Sequence, residues 1–144
     1  MKKYNLPQMD HKFHYEGTGE ESNINWVGDF VYRRPTLRER AMIDVMQKRL
    51  NGDLRTLDED TMYYNEATSH LRFTLKEFPD WWKDTDYGSN FYDPNVIIDL
   101  YTKALEFEAE WRKKTFGGDE KDVKDELEPV EETAVIIKGA TANQ

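Results

Sequence analysis

The chain contains no cysteine. That excludes disulfides, thiolate metal sites and cysteine nucleophiles, and it fits a reducing compartment. Serine is scarce: Ser22, Ser69 and Ser89 are the three present. None stands in the Gly-x-Ser-x-Gly setting that exposes a nucleophile at a strand-to-helix turn. Histidine is equally sparse. His11 and His14 fall on opposite faces of a predicted strand, and His70 lies on a predicted helix beside its apolar face. No metal or cofactor is expected from that scatter. No run approaches the roughly 18 apolar residues of a membrane span. Lys2 and Lys3 are not followed by the apolar core of a secretory signal. Positive charge is also short, with 20 Lys and Arg against 29 Asp and Glu and a net charge of -9. The basic clusters, Arg33-Arg34, Arg38 to Arg40 and Arg112 to Lys114, sit among acids or beside helix ends. Phosphate binding needs cations gathered on one face, so neither nucleic acid nor membrane is an expected partner.

What the chain does have is aromatic material. Its 144 residues suit one domain, and the 13% of aromatic side chains supply a core despite the low overall hydrophobic content. Near the N-terminus, His11, Phe13 and Tyr15 alternate with Lys12, His14 and Glu16, the period of a strand. A turn is expected over Gly17-Thr18-Gly19-Glu20-Glu21-Ser22. Residues 24–34, with Trp26, Val27, Phe30, Val31 and Tyr32, predict a second strand, bent or bulged at Gly28-Asp29. The two strands form a hairpin, which is marginal alone and must pack on something.

Three helices follow. Thr36 and Glu39 have the spacing of a capping box at the head of a helix from about Leu37 to Leu50. Leu37, Ala41, Ile43, Val45, Met46 and Leu50 form its broad apolar stripe, and Asn51-Gly52 stop it. A second helix begins near Asp58. Tyr64, Ala67, Leu71, Leu75 and Phe78 recur at helical spacing, which carries it to Pro79. Trp81-Trp82 then fall in a loop. The third helix has Asp93 as N-cap and Pro94 at its first position. Its apolar face is Ile97, Tyr101, Ala104, Leu105 and Trp111, and Gly117-Gly118 end it. From Asp119 to Glu132 there are eight acids and two lysines, a composition for disorder or weak helicity. The expected fold is therefore mainly α: a three-helix bundle behind a short β-hairpin, with a disordered or extended acidic tail. The expected organisation is an arm or first strand over 1–22, a helical domain over 23–118 and a tail over 119–144.

Chemistry is hard to find in this pattern. Gly17-Thr18-Gly19 lacks the following helix and lysine of a phosphate loop. Asp84-x-Asp86-x-Gly88 has the look of a calcium loop, but Ser89 and Asn95 occupy the positions that need glycine and glutamate. Glu106, Glu108 and Glu110 do not share one helix face. An enzyme is not expected. Two features stand out instead. Phe78, Trp81, Trp82, Tyr87, Phe91 and Tyr92 fall within fifteen residues. They either plug the gap between two helix ends or anchor a partner, since Trp and Tyr are frequent anchors. The acidic tail ends in Val135-Ile136-Ile137, a β-prone segment suited to strand addition or folding on a partner, or else part of an inert solubilising tail. The candidate partner-binding residues are thus Trp81, Trp82, Tyr92, Val135, Ile136 and Ile137.

The order Trp26-x-Gly28-Asp29-Phe30-x-x-Arg33-x-Pro35-Thr36, a helix, Pro79-x-Trp81-Trp82, and Asp93 to Trp111 with an aromatic and acidic end resembles small tail assembly chaperones of long-tailed bacteriophages. The resemblance spans residues 24–112. It implies a non-enzymatic protein of the host cytoplasm, in which a short β element precedes a helical bundle. Its partners would be the tape measure protein and tail tube subunits, with homo-oligomers also allowed. A structural component of the virion is the alternative: a connector, tail or decoration protein that laces its C-terminal arm into neighbouring subunits. An acidic inhibitor that mimics nucleic acid is a further one.

Overall fold

A computed structural model of the chain describes residues 9–52 and 57–115. The hairpin is present. Strand β1, Asp10–Thr18, pairs antiparallel with β2, Asn25–Arg33, in one unbroken register from Asp10 opposite Arg33 to Thr18 opposite Asn25. Inward positions bring Phe13 opposite Phe30 and His11 opposite Tyr32. Outward positions carry Lys12, His14, Glu16, Asp29 and Arg33, so one face is covered and one is polar. His14 Nδ1 and Asp29 pair across the outer face at 2.7 Å, while His11 stacks on Phe107 with centroids 4.4 Å apart.

No bulge occurs at Gly28-Asp29. Gly28 answers a different need: a side chain there would run into the Pro79 ring, so its bare backbone lets the segment after the sheet pack close. The irregularity lies on the other side of β2. Strand β3, Leu75–Glu77, pairs with β2 so that Val31 faces Glu77 and Tyr32 faces Leu75, which leaves Lys76 as the extra residue of a bulge.

Helix α1 is Leu37–Asn51, with both halves of the Thr36–Glu39 capping box formed. Helix α2 is Glu59–Thr74, and the Asp58 carboxylate accepts from the Thr61 backbone N–H at 2.7 Å. Helix α3 is Asp80–Asp84 and helix α4 is Pro94–Thr115. The chain divides into two compact units, Gln8–Phe107 and Met1–Pro7 with Glu108–Gln144. Only the end of α4 in the second unit is among the described residues. The expected acidic tail, with Val135, Ile136 and Ile137, lies outside them.

A mainly α three-helix bundle is therefore the wrong class. Of the described residues, 56% are helical and 20% are in strands, arranged as a three-stranded antiparallel sheet in the order β1-β2-β3 with four helices. Two local decisions account for the difference. The second helix ends at Thr74 instead of reaching Pro79, because residues 75–77 gain the open edge of β2 by leaving it. Trp81-Trp82 lie on a short helix instead of a loop, because Pro79, with an extended backbone, is a ready helix entrance.

The core of the Gln8–Phe107 unit lies between the inner face of the sheet and helices α2, α3 and α4. Tyr15, Phe30 and Tyr32 from the sheet meet Ala67 and Leu71 of α2, Trp82 of α3, and Val96, Ile97, Leu100, Tyr101 and Ala104 of α4. Burying each large side chain stabilises the fold by about 1.5–3 kcal/mol. Two buried threonines of α2 satisfy their hydroxyls on their own helix, Thr68 on the Tyr64 carbonyl at 2.9 Å and Thr74 on the His70 carbonyl at 2.8 Å.

Candidate functional site

Helix α1 departs from this pattern: none of its residues is buried. Its apolar stripe, expected to face a core, is largely in solvent, with Leu37 84% and Val45 57% exposed and Met42 and Leu50 also open. Ile43 and Met46 are half-buried where α1 packs along α2, and polar contacts pin its ends. The bulge at Lys76 aims its ammonium at Glu39, which it pairs with directly. Burial alone would raise the Glu39 carboxyl, but the Lys76 ammonium and the Thr36 donors outweigh it and hold its pKa below the usual glutamate value. At the far end, Asn65 Nδ2 donates to Asn51 Oδ1 at 2.9 Å. The start of α1 thus meets the strand that follows α2, and its end meets the middle of α2, so the two helices run antiparallel.

Between them lies a groove of about 720 Å³. Met42, Val45, Met46 and Phe73 give it an apolar floor, and Arg38, Arg49 and Arg72 stand at its edges. Asp86 is the acid that lines it, and Arg72 already holds that carboxylate at 2.9 Å. Among the described residues, no acidic side chain forms an ion pair with Arg38 or Arg49. The Arg72 guanidinium also lies 4.8 Å from the Tyr87 ring centroid. It thereby braces a left-handed turn in which Asp86, Tyr87 and Gly88 all have positive φ, at 52°, 55° and 86°. This turn occupies the segment with the look of a calcium loop.

The aromatic segment has a different character. Trp82 is fully buried, and its ring lies beneath Gly88 against Phe30 and Phe91. Trp81 is half-buried. Its indole donates to the Val27 carbonyl at 2.8 Å, and its ring lies 5.0 Å from that of Trp26. Trp26 in turn donates to Asp93 at 3.0 Å. The tryptophans therefore join the hairpin to α3 and the start of α4. Of the three candidate contacts in this segment, Tyr92 alone stands well out into solvent, at 82% exposure.

Asp93 lies where an N-cap belongs, one residue before Pro94, but its carboxylate serves the hairpin turn. It accepts from the Glu21 and Ser22 backbone N–H groups, the Ser22 hydroxyl and the Trp26 indole. Asn95 adds two bonds, accepting from the Glu20 N–H at 3.1 Å and donating to the Thr18 carbonyl at 2.9 Å. Tyr15 donates to Asp99 at 2.8 Å, and burial followed by that carboxylate pushes its phenol well above the ordinary range. These polar groups fasten the hairpin to α4.

Among the described residues no group of three or more His, Asp or Glu could hold a metal ion, and no helix is long and apolar enough to cross a membrane. The residues that sequence reasoning passed over are Arg38, Met42 and Arg49. The available signal was the make-up of helix α1: an apolar stripe with no aromatic ring, two methionines, and arginines near both ends. Comparison with protein families, curated proteins and solved structures found no match for this chain.

Proposed function

We propose that this chain is a non-enzymatic binding protein that holds a helical client, and, more narrowly, a tail assembly chaperone of a long-tailed bacteriophage acting on the tape measure protein and tail tube subunits. The observation that supports the binding role is α1. A helix with no buried residue and an apolar, methionine-bearing stripe in solvent is a surface waiting for cover. Methionine adapts to varied apolar partners, which suits transient holding of a client more than one fixed fit. The narrower reading rests on the residue order from Trp26 to Trp111 that resembles those chaperones. Tyr92, exposed at the end of the aromatic segment, is a second contact point under this reading, and the host cytoplasm is the place of action.

The test is co-expression with a large helical protein encoded beside this chain, followed by purification on the client. The two should co-purify, and the client should stay soluble only when the chain is present. Mass spectrometry of purified particles supplies the opposing result. Many copies per particle would overturn the chaperone role and make the chain a structural component of the virion.

A further inference from the structure

We infer that the groove between α1 and α2 is a docking site for an acidic amphipathic helix of a partner protein, an inference that rests on the reading of the chain as a binding protein. Three observations select this occupant. The floor is apolar and adaptable, lined by Met42, Val45, Met46 and Phe73. The edges carry Arg38 and Arg49, while the groove's acid, Asp86, is taken up by Arg72. The chain as a whole is acidic, at -9, so a cationic groove is a local exception and not a reflection of overall charge. Charges beyond about 8 Å are screened at physiological ionic strength, so a docking helix senses the two arginines more than the distant acids.

The geometry sets the partner's size and pattern. Arg38 and Arg49 are eleven residues apart on one helix, which at helical rise is about 17 Å. That fits roughly three turns of a partner helix. Its apolar residues would recur at three- and four-residue spacing to meet the floor. Asp or Glu near both ends would meet the arginines, whose planar forks suit carboxylates. A second copy of this chain is a poor occupant by the same logic, since two α1 helices facing each other across a two-fold axis would bring like-charged arginines together.

The test uses the full chain and two synthetic helical peptides with the same leucine stripe, one flanked by glutamates and one by lysines. Fluorescence anisotropy at low salt should show the glutamate peptide binding several-fold more tightly, roughly 2- to 30-fold from the sum of two exposed charge pairs. Added salt should narrow the difference. The double variant Arg38→Glu, Arg49→Glu should reverse the preference. Val45→Asp should abolish binding of both peptides while leaving circular dichroism and melting unchanged. Equal binding of the two peptides would overturn the charge rule and leave the protein-binding role standing. Capture of the co-expressed client undiminished by Val45→Asp would overturn the groove but not that role. Concentration-dependent dimers lost in Val45→Asp would give the groove to a second copy and overturn the proposal.

Discussion

Replacing Asp93 with asparagine should destabilise the fold by about 3 kcal/mol at neutral pH. The magnitude follows from what each carboxylate oxygen does. Oδ1 accepts the backbone N–H groups of Glu21 and Ser22 at 3.0 and 2.8 Å, and Oδ2 accepts the Ser22 hydroxyl at 2.6 Å and the Trp26 indole at 3.0 Å. Asparagine keeps one acceptor for the two amides but sets an NH₂ group where Oδ2 stood. The Ser22 hydroxyl can rotate and accept from it. The indole N–H has no acceptor capacity and is left facing another donor. One bond is lost outright and three lose their charge, where a hydrogen bond to a charged group contributes about 1.5–3 kcal/mol. Melting should fall by on the order of 10 °C. The effect has a pH signature. Burial by itself raises the Asp93 carboxyl, but the donors from Ser22, Trp26 and Glu21 outweigh it and hold the pKa below the usual aspartate value. Because the folded value is the lower one, the stabilisation is complete above the unfolded pKa of about 3.9 and is lost as pH falls through the folded value. Urea unfolding followed by tryptophan fluorescence should thus show a wide gap between wild type and Asp93→Asn at pH 7 that closes below about pH 4. A variant within about 0.5 kcal/mol of wild type at pH 7, or a gap that persists in acid, would refute the account.

Gly88→Ala should cost about 2–3 kcal/mol, because φ is 86° and the new Cβ would lie 2.7 Å from both Ile97 and Trp82; loss of near-ultraviolet dichroism is the readout. Thr36→Ala should weaken α1 by about 1 kcal/mol through loss of its cap, seen as faster amide exchange in α1 with the core amides unchanged. Tyr15→Phe should cost about 1 kcal/mol by removing the bond to Asp99. In the wild type, whose Tyr15 pKa is raised on folding, that residue's contribution should hold below about pH 10 and fade as pH rises through the folded value, so the gap to Tyr15→Phe in urea unfolding should narrow with it. Leu100→Ala, in the core, should cost about 3 kcal/mol, whereas Val45→Asp, in solvent, should change unfolding free energy by no more than about 0.5 kcal/mol.

The same contrast between Leu100 and Val45 separates what the residue pattern makes legible from what it hides. Signals that act within a few residues translate directly. Thr36 and Glu39 form their reciprocal cap, Asp58 closes the start of α2, and the alternation around Phe13 and Phe30 yields the hairpin. Signals that depend on distant partners do not. Leu75 and Phe78 fit the helical period of α2, yet Leu75 also fits a strand, and what decides is the open edge of β2 more than forty residues earlier in the chain. Asp93 carries every local mark of an N-cap, but donors from Glu21, Ser22 and Trp26 claim its carboxylate. Periodicity also cannot say which apolar stripe its own chain will cover. The stripes of α2 and α4 meet the sheet. The α1 stripe lies along α2 with Ile43 and Met46 partly buried, while Leu37, Val45 and Leu50 stay in solvent. The short strand at Leu75–Glu77 also fixes the start of α1, through the Lys76–Glu39 pair. A variant that kept α2 helical through residue 77 would remove the partner of β2 and the Lys76 hold on Glu39 together. It should therefore release α1 as well as β3, which amide exchange in both segments would reveal.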